Sequence, residues 1–122
     1  MRKKILIVED NEDARSFMKY LIENYGYEAI EAADGIEALD QFRKHQPDII
    51  LMDISLPMVS GLTATKAIRE VDATGEIPII AITAFGKLYL EKAMEAGCND
   101  LITKPLDYDV LQSTIEKHLK SE

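Results

Sequence analysis

Four distant segments carry side chains suited to ion and anion chemistry. They are the adjacent acids Glu9 and Asp10, Asp53 closing an apolar run, Thr83 closing another, and Lys104 before Pro105. Carboxylates brought together repel: two unit charges ~4 Å apart cost about 1 kcal/mol in water and about 4 kcal/mol at an effective dielectric near 20. Three in one place require a cation among them or a raised pKa. Carboxylate oxygens suit a hard ion, and Mg²⁺ accepts one or two of them together with waters and a phosphoryl oxygen. Asp10 and Asp53 are then direct ligands, Glu9 ligates directly or through water, and the backbone carbonyl of Ser55 could complete the set. A carboxylate such as Asp53 attacking phosphorus needs charge neutralisation and alignment more than acid–base help. Lys104 can add positive charge and Thr83 a hydrogen bond. A phosphoryl group on Asp53 would exchange one negative charge for a larger anion rich in acceptors, which Thr83 and Lys104 are placed to sense.

Such a cluster needs a scaffold that ends several elements at one edge. Ile5-Leu6-Ile7-Val8, Ile49-Ile50-Leu51-Met52 and Ile79-Ile80-Ala81-Ile82 are continuous apolar runs, the pattern of strands buried on both faces. Residues 27–32 alternate and read as an edge strand, and the short run 100–103 reads as the other edge. Between them the spacing predicts helices over about 12–25, from Asp34, over 61–72, over 87–96 and from about Asp107. The inner faces are expected to carry Phe17, Tyr20 and Leu21 in the first helix and Ile36, Leu39 and Phe42 in the second. Leu111, Ile115, His118 and Leu119 share helical spacing in the last. Asp34 is a natural cap with Glu37 three residues on, and Gly26 and Gly97 are helix stops. Alternating strands and helices predict a doubly wound (βα)₅ sheet. With right-handed crossovers and strands two and five at the edges, the order is 2-1-3-4-5. Ligands of such sheets sit beyond the carboxyl ends of the strands where the order reverses, and all five chemical residues fall at that edge.

Each residue alone has a simpler explanation. Asp53 could merely end a strand, Lys104 could be a surface lysine, and Thr83 could cap a helix. The acidic start Glu9-Asp10-Asn11-Glu12-Asp13 could favour a helix N-terminus, with Asn11 or Asp10 as cap. That role suits Glu12 and Asp13; the shared edge favours chemistry for Glu9 and Asp10. Pro57 and Gly61 read as loop geometry, His45 and His118 as surface or helix-end residues, and the five methionines as core filler.

The 122 residues allow one domain with one core, 47% apolar and 30% charged, the mix of a globular chain. No apolar run approaches the ~20 residues of a membrane span. The short basic start lacks a cleavage pattern and is not read as a signal peptide. A net charge of −8 opposes direct binding to nucleic acid. The single Cys98 reads as a small buried hydrophobe, and a reducing, cytoplasmic setting is the simplest one.

The ordered set of motifs resembles the receiver domain of two-component response regulators, in the manner of the chemotaxis regulators, over almost the whole chain. Ile5 to Asp10 (ILIVED), Asp48 to Asp53 (DIILMD), Leu56-Pro57-Met58-Val59-Ser60-Gly61, Thr83-Ala84, Ala96-Gly97-Cys98 and Thr103-Lys104-Pro105 carry the likeness. The resemblance implies a flavodoxin-like three-layer sandwich. It implies phosphorylation of Asp53 from a histidine of a kinase or histidine phosphotransfer protein, Mg²⁺ held by Glu9 and Asp10, and phosphoryl oxygens bound by Thr83 and Lys104. It also implies a cis bond before Pro105 and an output surface formed by helix four, strand five and helix five, through which a target protein or a second copy on phosphorylation would be engaged. Such a domain is not an enzyme beyond its own phosphorylation and slow autodephosphorylation. One departure is Leu101, where the family usually has an aromatic ring that moves with the threonine. Phe85, two residues after Thr83, is expected to shield the phosphoryl group and lengthen its life.

Other functions fit less well. A haloacid-dehalogenase-type phosphatase also uses an aspartate and Mg²⁺, but it wants a second acid where Ser55 stands. A flavodoxin-type flavin carrier needs hydroxyls and amides, not acids, after the first strand, and the glycine pattern of dinucleotide enzymes is absent there. An inert receiver-like module remains as the third class. Whether the chain acts alone or belongs to a longer protein is open.

Overall fold

In the computed structural model, residues 2–55 and 60–120 are described, with the side chains of Lys87 and Lys120 excepted. The expected motif stretch Leu56 to Val59 and two of the methionines, Met1 and Met58, lie outside these residues. The order is β1 (Lys4–Val8), α1 (Glu12–Asn24), β2 (Glu28–Ala32), α2 (Gly35–His45), β3 (Ile49–Asp53), α3 (Gly61–Val71), β4 (Ile79–Thr83), a 3₁₀ turn (Gly86–Tyr89), α4 (Leu90–Ala96), β5 (Asp100–Thr103) and α5 (Tyr108–Lys120). All strand pairs are parallel, in the order β2-β1-β3-β4-β5, as the alternation of elements predicts.

The sheet separates two apolar layers. On one side Ile5, Ile7, Ile49, Leu51, Ile80 and Ile82 pack with Met18, Leu21 and Ile22 of α1 and Leu111 and Ile115 of α5. On the other, Leu6, Val8, Ile50, Met52, Ile79 and Ala81 pack with Ala38 and Phe42 of α2, Ala64 and Ile68 of α3 and Ala93 of α4. Successive residues of one strand serve opposite layers, which is why β1, β3 and β4 read as unbroken apolar runs.

Helix starts follow local chemistry. Asn11, Asp34 and Ser60 accept the N–H groups of Ala14 (2.8 Å), Glu37 (2.8 Å) and Thr63 (3.2 Å), satisfying donors that the first turn leaves free. Tyr89, before α4, makes no such side-chain cap. The fourth helical segment accordingly begins as a 3₁₀ turn before the α-helix, where a single helix from 87 was expected.

Two inner faces differ from expectation. Phe17 and Tyr20 are exposed at 43% and 62%, and Ile36 at 53%. At ~100° per residue, Met18, Leu21, Ile22 and Tyr25 already form one stripe, with Tyr20 almost opposite and Phe17 at its flank. In α2 the buried stripe is Gly35, Ala38 and Phe42 with Leu39 beside it. Gly35 and Ala38 are small and let the helix approach the sheet, and Ile36 faces away. Met18 and Met52 are core residues but Met94 is 39% exposed.

Candidate functional site

The inner strands deliver their chemistry at one edge because parallel strands end together. Glu9 and Asp10 follow β1, Asp53 ends β3, Thr83 ends β4 and Lys104 follows β5. In register, Val8 lies opposite Met52, Asp53 opposite Ile82 and Thr83 opposite Thr103. Backbone bonds continue the alignment past the strands. Glu9 N–H donates to Ala32 O (3.0 Å), Ile54 N–H to Ile82 O (3.2 Å) and Lys104 N–H to Thr83 O (2.8 Å).

Glu9 and Asp53 are 2% and 3% exposed, Thr83 is buried, and Asp10 is open to solvent. Glu9, Asp10 and Asp53 each place one carboxylate oxygen within 4.8 Å of the others. At such a separation, each pair of charged carboxylates repels by about 3 kcal/mol at an effective dielectric near 20. Lys104 offsets part of this: its Nζ lies 3.2 Å from Glu9 Oε1 and 3.4 Å from Asp53 Oδ2. One ammonium does not neutralise three acids, and the donors are all hard oxygens. A divalent cation of the Mg²⁺ kind fits both the charge and the chemistry.

The two buried acids are each held from behind. Asn11 N–H donates to Glu9 Oε2 (3.1 Å) and Ser55 N–H to Asp53 Oδ1 (2.9 Å). Burial pushes the Glu9 carboxyl above its ordinary range, Asp53 adds to the effect, and the Asn11 N–H and Lys104 oppose it. Burial draws Lys104 the other way from its partners, yet Asp53 and Glu9 prevail and its pKa rises, so the side chain stays an ammonium at neutral pH. Thr83 Oγ1 accepts Phe85 N–H (3.1 Å), which leaves its own hydrogen to be donated.

The five residues singled out in the sequence thus meet at one edge, the three acids within 4.8 Å of one another, Lys104 paired with Glu9 and Asp53, and Thr83 aligned through strand register. The Lys104–Pro105 bond is cis, as the resemblance implies. Ser55 is exposed and meets Asp53 through its N–H. Phe85 is 56% exposed and its ring tilts against Tyr89, 5.5 Å between centroids. Leu101 is partly buried beside the layer that also receives Tyr89. His118 stands in the last turn of α5, the helix-end alternative of the sequence reading rather than the surface one; its side chain is 15% exposed and its Nε2 lies 3.0 Å from Asp100 Oδ2, at the start of β5. Cys98 is buried as expected.

Sequence reasoning passed over Arg15. Its Nη1 donates to Glu9 O (2.9 Å) and its Nε to Glu31 Oε1 (3.3 Å). The signal was a cation one turn into an otherwise acidic segment, unremarkable without knowing that β2 lies alongside.

Comparison with known proteins agrees with this picture. The family model described as the response regulator receiver domain matches residues 5–116. The polar-differentiation response regulator DivK of Brucella anthropi is 46% identical over 120 residues, 98% of each chain. The receiver domain of a sensor histidine kinase from Pseudomonas aeruginosa, solved with a magnesium ion coordinated in its active-site cleft, has a TM-score of 0.90 at 33% identity, covering 98% of this chain and 99% of that one. A CheY-like receiver domain protein of Methanospirillum hungatei has a TM-score of 0.92 at 26% identity, covering 99% and 96%. A family match over residues 5–116 and 46% identity over 98% of a response regulator make the chain a member of the response regulator receiver domain family.

Proposed function

We propose that the chain is a phosphorylation-controlled switch of a two-component phosphorelay, with Asp53 as phosphoacceptor. The observation that carries the reading is the pairing of one partly buried ammonium, Lys104, with the two buried acids Glu9 and Asp53 beside a third, Asp10. Burying such charges is costly unless they serve one another or a ligand. Asp53 Oδ2 is the attacking atom. A new O–P bond forms as the P–N bond of a phosphohistidine on a kinase or phosphotransfer protein breaks, and the electron pair leaves with the imidazole. Ser55 N–H orients the carboxylate through Oδ1. Lys104 and the Thr83 hydroxyl then hold phosphoryl oxygens.

Glu9, Asp10 and Asp53, with the Ser55 carbonyl, would hold Mg²⁺, which when bound neutralises charge on the transferring group. Because Lys104 N–H is bonded to Thr83 O, a change sensed by either residue is shared between β4 and β5. Exposed Leu90 and Met94 on α4 and Val110 on α5 give the α4-β5-α5 side an apolar surface that a target protein could read. The chain is proposed to turn over no substrate beyond its own acyl phosphate, with Phe85 slowing water, and to act in the cytoplasm.

The test is incubation with acetyl phosphate with and without Mg²⁺, followed by intact mass spectrometry and chromatography. The switch gains one Mg²⁺-dependent phosphoryl group, absent in Asp53→Asn, with a shift in elution or in α4-β5-α5 signals. Sustained release of phosphate from added monoesters would favour an aspartate-based phosphatase instead. No labelling at all would leave an inert interaction module.

A further inference from the structure

We infer that Arg15 is the positioning residue of the acidic turn, fixing Glu9 and Asp10 for cation binding from outside the pocket. The inference rests on the reading that these acids hold Mg²⁺. After β1 the chain must turn so that Glu9 points inward while the next residue, Asp10, opens to the solvent side of the same pocket. Three ties hold Glu9 in that posture from within the turn and the sheet: its N–H on Ala32 O, its Oε2 on Asn11 N–H and its Oε1 near Lys104. The fourth is its carbonyl, which accepts Arg15 Nη1 at 2.9 Å.

Arg15 is itself braced. Its Nε meets Glu31 of β2 at 3.3 Å, and its side chain is only 18% exposed. Glu31 also meets Lys19 of α1 at 3.6 Å, and its carbonyl accepts Gln41 Nε2 of α2 at 3.0 Å. The guanidinium therefore ties the metal-binding turn to β2, and through β2 to helices on both sides of the sheet. A planar fork with several donors at fixed angles suits this double attachment, and an ammonium does not reproduce it. Outer groups that orient ligands commonly change metal affinity 10- to 100-fold when removed.

The sign of the effect separates this role from simple charge. Removing a cation near three acids, on electrostatics alone, tightens the binding of Mg²⁺. Loss of the brace loosens it. The experiment is calorimetric titration of the unphosphorylated chain with MgCl₂, at a temperature where circular dichroism shows each variant folded. Arg15→Met is expected to bind Mg²⁺ about tenfold more weakly than wild type. Equal or tighter binding overturns the inference. Arg15→Lys keeps the charge and is expected to recover part of the loss. If Arg15→Met does not fold, Arg15→Lys decides alone, and affinity equal to wild type refutes the positioning role. Failure of the wild type itself to bind Mg²⁺ overturns the metal reading and this inference with it, an outcome distinct from a failure confined to Arg15.

Discussion

Replacing Gly61 by Ala probes how closely α3 is built against the end of β3. A Cβ on Gly61 would sit 2.2 Å from the carbonyl oxygen of Asp53, 2.5 Å from Ile54 Cα and 2.9 Å from the Asp53 carbonyl carbon. An ordinary C···O contact is about 3.3 Å or more, so the helix start and the strand end must part by about 1 Å. The obstacle is backbone on both sides and cannot swing away as a side chain would. Overpacking costs about 1–3 kcal/mol, and a backbone-to-backbone clash this close places the change at the upper end, about 2–3 kcal/mol, against which Ala regains up to about 1 kcal/mol of helix propensity. The net loss is therefore about 1–2 kcal/mol. With an unfolding entropy of ~2.1 cal/mol/K per residue, a chain of 122 residues loses about 4 °C in Tm per kcal/mol, so Tm falls by about 4–8 °C. Thermal unfolding followed by circular dichroism measures it. Gly61 lies outside the left-handed region, so backbone conformation offers Ala no penalty of its own. A Gly61→Ala protein as stable as wild type, or more so, refutes the close-approach reasoning.

Two further outcomes follow from buried groups away from the site. Asp72 accepts Thr74 Oγ1 (2.8 Å), the N–H groups of Thr74 and Ile77 (both 3.2 Å) and Arg69 Nη1 (3.3 Å); burial raises its pKa, but these donors outweigh burial and lower it. A lowered folded pKa contributes stability that is present above the unfolded value near 4 and fades as pH falls through the folded one. Asp72→Asn should thus be about 1–3 kcal/mol less stable at pH 7, with the gap closing toward pH 2; urea midpoints showing a constant gap over that range would contradict the assignment. Cys98 is 6% exposed, and burial pushes its thiol pKa up despite the Thr65 hydroxyl and Arg69. A colourimetric thiol reagent at pH 8 should label the folded protein far more slowly than it labels the protein in urea, and equal rates would count against the burial.

The architecture was legible because the physics that builds parallel sheets writes plainly into sequence. Strands covered on both faces must be apolar at every position, so β1, β3 and β4 announce themselves, and the polar alternation of β2 marks an edge. Once the strands are placed, the chemical cluster follows from where they stop. What escaped was phase and partnership. Phe17, Tyr20 and Ile36 are apolar, yet the stripes of α1 and α2 were already filled by Met18, Leu21 and Ile22 and by Gly35 and Ala38. Side-chain size outvotes nothing when a helix can bury only one face. The roles of Arg15 and His118 depend on Glu31 and Asp100, 16 and 18 residues away, and no local pattern links them. The uncapped start of α4 was hidden because Gly86 to Tyr89 carry no strong breaker beyond Gly86 itself.

The direction of the strands has a practical meaning. Lys4 N–H at the start of β1 is bonded to Asp48 Oδ2 (2.7 Å), before β3, and Lys3 shares a surface hollow with Glu116 and Leu119 of α5. Both ends of the described chain therefore emerge at the pole opposite the acids. A strand of five residues separates them by roughly 16 Å. A fluorophore or fusion partner joined at either end would leave the acidic mouth unobstructed, and would report on events there only by way of the helices and sheet between.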